Sequence, residues 1–159
     1  MKLATLPQLD SIVDGEGLRM VIWTQGCKHN CPECHNPATH DFNAGIEVPI
    51  NDILNYYDNL QDGVTISGGD PFYQSKELFI LLQKLKEKKI NVWVYTGFTY
   101  EECLVSFREC LDYIDVLVDG LFINDLKDLS LTFVGSSNQR IIDVPRSLEQ
   151  NKVILYELR

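Results

Sequence analysis

Apolar residues in this chain come in short dense runs that alternate with stretches of helical spacing. "LRMVIWT" (18–24) is β-branched, aromatic and apolar between Gly17 and Gly26, which predicts a buried strand. Asn51 is placed as an N-cap ahead of apolar residues at 53, 54, 57 and 60, predicting a helix over 51–60. "GVTIS" (63–67) predicts a second strand, ended sharply by "GGDP". Ser75 opens "SKELFILLQKLKEKK", where Leu78, Leu81, Leu82 and Leu85 share one helical face. Its lysines gather at the C-terminal end, where the helix dipole favours them. "INVWVYT" (90–96) predicts a third strand, and Thr99 with Glu102 forms a capping box for a helix to about Leu111. "IDVLVDG" (114–120) predicts a fourth strand. Further strands are predicted at "LTFV" (131–134), "RIIDV" (140–144) and "KVILYEL" (152–158).

Apolar strands alternating with helices predict a parallel sheet with its helices outside. At about 30 residues per βα unit, this length holds roughly five units, short of the eight that close a barrel. The expected fold is therefore α/β: an incomplete, open (β/α) barrel with a mostly parallel sheet, formed by one domain over residues 1–159. In such folds function gathers at the C-terminal ends of the strands. Here those ends read "TQGC", "SGGDP", "YTGF" and "VDGLF", each with glycine and each polar straight after an apolar run.

Composition narrows the setting. The chain is 45% hydrophobic and 23% charged, as a soluble globular protein is. No apolar run approaches the roughly 18 to 20 residues of a membrane span. The N-terminal "MKLATLPQLDSIVDGEG" lacks a hydrophobic signal core, so a cytoplasmic location is expected, with no membrane partner. A net charge of −9 argues against a nucleic-acid backbone as partner. Five cysteines without an export signal point to reduced thiols used for metal or redox chemistry. Cys103 and Cys110, seven apart on one predicted helix, read as buried small apolar residues, and Trp23 and Trp93 as core.

The chemistry concentrates in "TQGCKHNCPECHNP" (24–37). Soft thiolates at short spacing select zinc or an iron–sulfur cluster. A structural zinc site normally takes four protein ligands, so zinc would have to recruit His29, His35 or a distant cysteine. A [4Fe–4S] cluster on Cys27, Cys31 and Cys34 would keep one iron without a protein ligand, open for chemistry. Neither histidine is needed for that, and both read as polar loop residues. The glycines of "SGGDP" allow positive φ and close backbone approach to a ligand, although turn chemistry alone also explains them. Thr96 and Gly97 end the third strand and can line the same cleft. Asp119 reads equally as a turn residue or a site residue, and Asn138 and Arg140 follow a Gly-Ser-Ser loop, with Arg140 equally a surface arginine.

C-x3-C-x2-C after the first strand of an α/β chain resembles the radical S-adenosylmethionine superfamily. Within it the chain most resembles the activating proteins of anaerobic (class III) ribonucleotide reductase. The blocks that carry this are "DGEGLR" (14–19), "TQGCKHNCPECHNP", "SGGDPF" (67–72), "VWVYTGF" (92–98), "DVLVDGLF" (115–122) and "GSSNQRIID" (135–143). Many members of that family have Gly and Tyr where this chain has Glu33 and His35. The resemblance implies one [4Fe–4S] cluster held by Cys27, Cys31 and Cys34, with S-adenosylmethionine bound at its open iron. It implies cofactor contacts at Glu33, Cys34, His35, Ser67, Gly68, Gly69, Asp70, Thr96, Asp119, Asn138 and Arg140, and no catalytic side chain beyond cluster and cofactor. Gly69 is then expected to reject a side chain for the ligand's sake, with folding unaffected. The implied activity installs a glycyl radical on the large reductase subunit, with a one-electron donor such as flavodoxin or ferredoxin. Alternatives are an activator of another glycyl-radical enzyme, an enzyme acting on a small heterocycle, and a non-catalytic zinc-stabilised module.

Overall fold

The computed structural model describes residues 1–159. Four of the apolar runs form the parallel centre of its sheet: β3 (Arg19–Thr24), β5 (Gly63–Gly68), β6 (Val92–Tyr95) and β7 (Val116–Asp119). Short antiparallel strands flank them. β1 (Lys2–Leu3) and β2 (Gln8–Ser11) pair with β3, β4 (Ile46–Glu47) pairs with β1, and β8 (Arg140–Asp143) pairs with β7. The eight-stranded sheet runs β4-β1-β3-β5-β6-β7-β8, with β2 beside β3. The expected parallel sheet is thus confined to its centre, and the expected run of about five units to four parallel strands.

Alternation along each strand sorts side chains to two unlike faces. Met20, Ile22, Val64, Ile66, Val92, Val94, Leu117 and Ile142 join the main core. Against them pack α1 (Ile50–Asn55), α2 (Ser75–Glu87), α3 (Tyr100–Ser106), α4 (Arg108–Leu111) and α5 (Val144–Gln150). The leucine stripe of α2 is fully buried in this core. The opposite face carries Arg19, Thr65 and Ser67 together with a small cluster around Trp93, Val116 and Val118.

That second face is plugged at the N-terminal ends of the strands. The buried Arg19 guanidinium donates to Thr65 Oγ1 (2.7 Å), the Glu16 carbonyl (2.9 Å), the Val64 carbonyl (2.9 Å) and Asn91 Oδ1 (3.0 Å). It also lies 5.4 Å from the centre of the Trp93 ring. Burial lowers its pKa to about 10, still well above neutrality. Gly15, at φ 119°, makes this fit, because a Cβ there would stand 2.9 Å from Arg19 Cδ. The "DGEGLR" block therefore builds the closed end of the fold.

Several sequence expectations are corrected by tertiary packing. The helix predicted over 51–60 is capped from Pro49 and stops at Asn55, because Asp58 accepts from the Leu60 amide in a turn and Leu60 is exposed. The helix predicted to about Leu111 breaks at Phe107, whose ring packs against Phe72 (4.7 Å) and Phe98 (5.2 Å). "LTFV" is a bend with Phe133 at φ 64°, and its ring packs against Trp93. The last run forms only one bridge, Ile142 with Leu155, and lays Tyr156 on Trp93. Trp23 is half-buried, its indole N–H donating to Gln8 Oε1, whereas Trp93 is core as expected. Helix α5 was not expected over 144–150; Asp143 accepts from the Arg146 amide to start it, and Asn151 ends it at φ 54°. Cys103 and Cys110 are buried, on two helices and not one.

Core packing makes the following contrast measurable. Leu82→Ala, at a fully buried site, should cost about 2–5 kcal/mol in urea unfolding. Val105→Ser, at an 87% exposed position, should stay within about 0.5 kcal/mol of the parent.

Candidate functional site

The polar strand ends meet as expected, at the C-terminal edge of the parallel strands. The loop after β3 is held by backbone bonds from Gly26 N to the Thr39 carbonyl (2.6 Å) and from Cys27 N to the His40 carbonyl (3.2 Å). Asn30 (φ 50°) and Glu33 (φ 58°) take left-handed conformations within it. Such backbone favours glycine, so Glu33 takes a conformation that side chains rarely adopt. Glu33 itself is exposed, and what it contributes is a turn of the main chain.

Cys27, Cys31 and Cys34 line one cavity of about 130 Å³ together with Ser67, Gly68, Gly69, Thr96 and Gly97. A larger groove of about 810 Å³ adjoins it and shares Cys34, Ser67, Tyr95, Phe122 and Gln139 as lining. His35 borders that groove, its ring 4.8 Å from Phe122. Burial raises the Cys27 and Cys31 thiol pKa values, the cost of holding a thiolate away from water. The Asn36 amide points at Cys34 Sγ (3.4 Å).

This donor set suits a cluster. The three thiols line a common cavity, the number that leaves one iron of a [4Fe–4S] cubane without a protein ligand. A tetrahedral ion needs its ligands within about 2.3 Å of one point, whereas a cubane spreads three thiolates over three irons.

Asp70 turns its carboxylate inward and is 1% exposed. It accepts from the Thr96 hydroxyl (2.8 and 3.0 Å), the Gly97 amide (2.9 Å), the Phe72 amide (3.1 Å) and His29 Nε2 (2.7 Å). Gly69 is tight for a structural reason: a Cβ there would collide with the Gly26 carbonyl and stand 2.8 Å from the Thr39 carbonyl. This corrects the expectation that Gly69 rejects side chains for a ligand's sake alone, since a substituent would displace the cysteine loop itself.

Asp119, Asn138 and Arg140 do not line either cavity. Asp119 accepts from the Tyr100 amide (2.7 Å) and from Arg140 Nη2 (2.6 Å), joining the start of α3 to β8. These bonds, with those to Glu101, hold the Arg140 pKa above its usual value. Asn138 bridges the Leu121 carbonyl and the Ser136 hydroxyl. Tyr95, Phe122 and Gln139 line both cavities although the sequence reading did not select them. Tyr95 was within reach, since it alternates with Trp93 on the inner face of a strand that ends at the cleft.

Three thiols on one cavity at the C-terminal edge of an α/β sheet are the donor set that a single-cluster iron–sulfur protein uses. A family model described as a 4Fe-4S single cluster domain matches residues 13–142. An anaerobic ribonucleoside-triphosphate reductase-activating protein of Escherichia coli K12 is 37% identical over 138 residues, covering 80% of this chain and 90% of that protein. Proteins of the same name from Haemophilus influenzae (36% over 143 residues) and phage T4 (31% over 137) cover 82% and 81% of this chain, and 90% and 86% of their own lengths. The chain belongs to the family of anaerobic ribonucleoside-triphosphate reductase-activating proteins.

Replacing Cys27, Cys31 or Cys34 by Ala should abolish iron retention after anaerobic reconstitution, read by iron analysis and absorbance. Cys103→Ala and Cys110→Ala, whose thiols sit in the core with raised pKa values, should load iron as the parent does.

Proposed function

We propose that this chain installs a glycyl radical on an anaerobic ribonucleoside-triphosphate reductase, using one [4Fe–4S] cluster and S-adenosylmethionine. The carrying observation is the donor set: three thiols on one cavity beside an open groove at the ends of parallel strands. Bound there, the cluster would supply the single electron that reductive cleavage of S-adenosylmethionine requires, and the hydrogen removed would be that of a glycine Cα on the reductase. Cys27, Cys31 and Cys34 would hold three irons and leave the fourth for the cofactor.

The remaining residues position and shield. Asp70 has its carboxylate occupied by protein donors, so the cofactor's ammonium falls to backbone carbonyls of the Gly68–Gly69 segment. Ser67, Tyr95, Phe122 and Gln139 are the residues that a ligand spanning both cavities would touch. Glu33, through its backbone turn, and His35, on the groove rim, are the loop's share of the site. Thr96 ties the third strand end to Asp70, and Asp119, Asn138 and Arg140 serve by fixing the loops around the opening. The Tyr95 hydroxyl donates to the Phe133 carbonyl (2.8 Å) and steadies the wall where Phe133 and Val134 exclude water.

The helix-covered sheet, with β4 and β8 at opposite edges, is read as an incomplete (β/α) barrel formed by one domain over residues 1–159. Its uncovered face would admit an extended glycine-bearing segment of the reductase. A flavodoxin or ferredoxin is the class of one-electron donor this chemistry requires. No helix is long and apolar enough to cross a membrane, which accords with a cytoplasmic setting.

Mixing the reduced, reconstituted protein with S-adenosylmethionine and its cognate reductase should produce a glycyl-radical EPR doublet on the reductase. Changing the reductase's radical-site glycine to Ala should remove the doublet. Turnover of a small heterocycle with no protein radical would replace this reading with a metabolite enzyme.

A further inference from the structure

Between Cys27 and Cys31 one side chain reaches back into the protein. Lys28 and Asn30 are exposed, but the His29 ring turns inward, with 13% of its side chain exposed. Its Nε2 lies 2.7 Å from Asp70 Oδ2. An ionised carboxylate only accepts, so Nε2 carries the proton and donates. The ring also stands edge-on to Phe98 (4.6 Å) and tilted against Tyr73 (5.4 Å). Gly97 makes room for it, because a Cβ there would stand 2.7 Å from His29 Cδ2 and 2.8 Å from Nε2.

The tie joins three strand ends. Asp70 belongs to the loop after β5, Thr96 and Gly97 to the loop after β6, and His29 to the cysteine loop after β3. One buried carboxylate accepts from the other two loops, through His29, Thr96 and Gly97, and from the Phe72 amide of its own. A cluster held only by its thiolates could bind iron in several loop arrangements. Transfer of an electron to a bound cofactor needs one arrangement, held to a fraction of an ångström.

We propose that His29 is a positioning residue that sets the cysteine loop against the "GGDP" and "YTGF" strand ends through Asp70, a role that rests on the activator reading above. His29 borders the cavity that the three thiols line, but in this role its ring nitrogen is committed to Asp70 and holds no iron. It acts through the carboxylate, as outer partners of metal ligands do.

The test begins with the apo chain. In His29→Leu, amide exchange across residues 27–36 should rise about tenfold or more, as loss of a hydrogen bond to a charged group predicts, while β5 and β6 stay unchanged. His29→Gln, whose amide N–H can reach the same carboxylate, should restore slow exchange. After reconstitution, the change that S-adenosylmethionine causes in the EPR spectrum of the reduced cluster is the second readout. His29→Leu should need about 10- to 100-fold more cofactor for the same change at equal iron content, with rescue by Gln. Gly97→Ala, which displaces the ring, should give the same loss and add nothing to His29→Leu. Equal exchange and equal cofactor dependence in His29→Leu and wild type would overturn the positioning role and leave the activator reading standing. Iron loss in His29→Leu supports the tie if Gln restores the iron and overturns it if Gln does not. A wild-type protein that holds its cluster but never responds to S-adenosylmethionine overturns the activator reading, and the apo exchange then decides the His29 tie alone.

Discussion

A single buried carboxylate organises the working end of this protein. Asp70 is almost wholly removed from water, and an ionised group there is costly unless donors replace its hydration. Its own loop, the end of β6 and the cysteine loop supply those donors. Each loop is thereby fixed by what Asp70 requires, and the cavity shape follows. The glycines around it are the complement of that demand: Gly69 lets the Gly26 carbonyl approach, and Gly97 lets the His29 ring lie flush.

The second constraint is the asymmetry of the sheet. Helices cover one face and bury the leucine stripe of α2, while the other face has no such layer. At the N-terminal ends of the strands that face is sealed by Arg19, Trp93 and the C-terminal segment, where Tyr156 donates to Glu16 Oε2 (2.8 Å). At the other end it stays open and meets the cysteine loop. The fold is thus closed at one end, and at the other the two cavities lie beside the cysteine loop.

The family relationship and the geometry bear on different parts of the function. Membership in the reductase-activating family speaks to the protein target. The three-thiol cavity speaks to the chemistry, and the groove beside it to access. His29 lies between these parts. It borders the thiol cavity without being a thiolate, and its bond to Asp70 explains it only once the strands are assembled.

Local pattern was enough for much of this. The four parallel strands, the buried face of α2 and the Thr99 capping box were legible because each depends on residues within a few positions of one another. The cysteine spacing and the glycine-bearing strand ends carried the candidate chemistry for the same reason. Very short strands such as β1 and β4 carry too few residues for any periodicity to register. Phe107 and Phe133 depart from their local propensities because distant aromatic rings reward the departure. The same limit applies at the site. His29 and Asp70 are 41 positions apart, and Asp119 and Arg140 are 21 apart. The chain by itself determined which residues could do chemistry. Only the assembled sheet decided which of those polar groups face the cavity and which are consumed in holding it together, because a buried charge takes whatever donors the neighbouring strands bring to it.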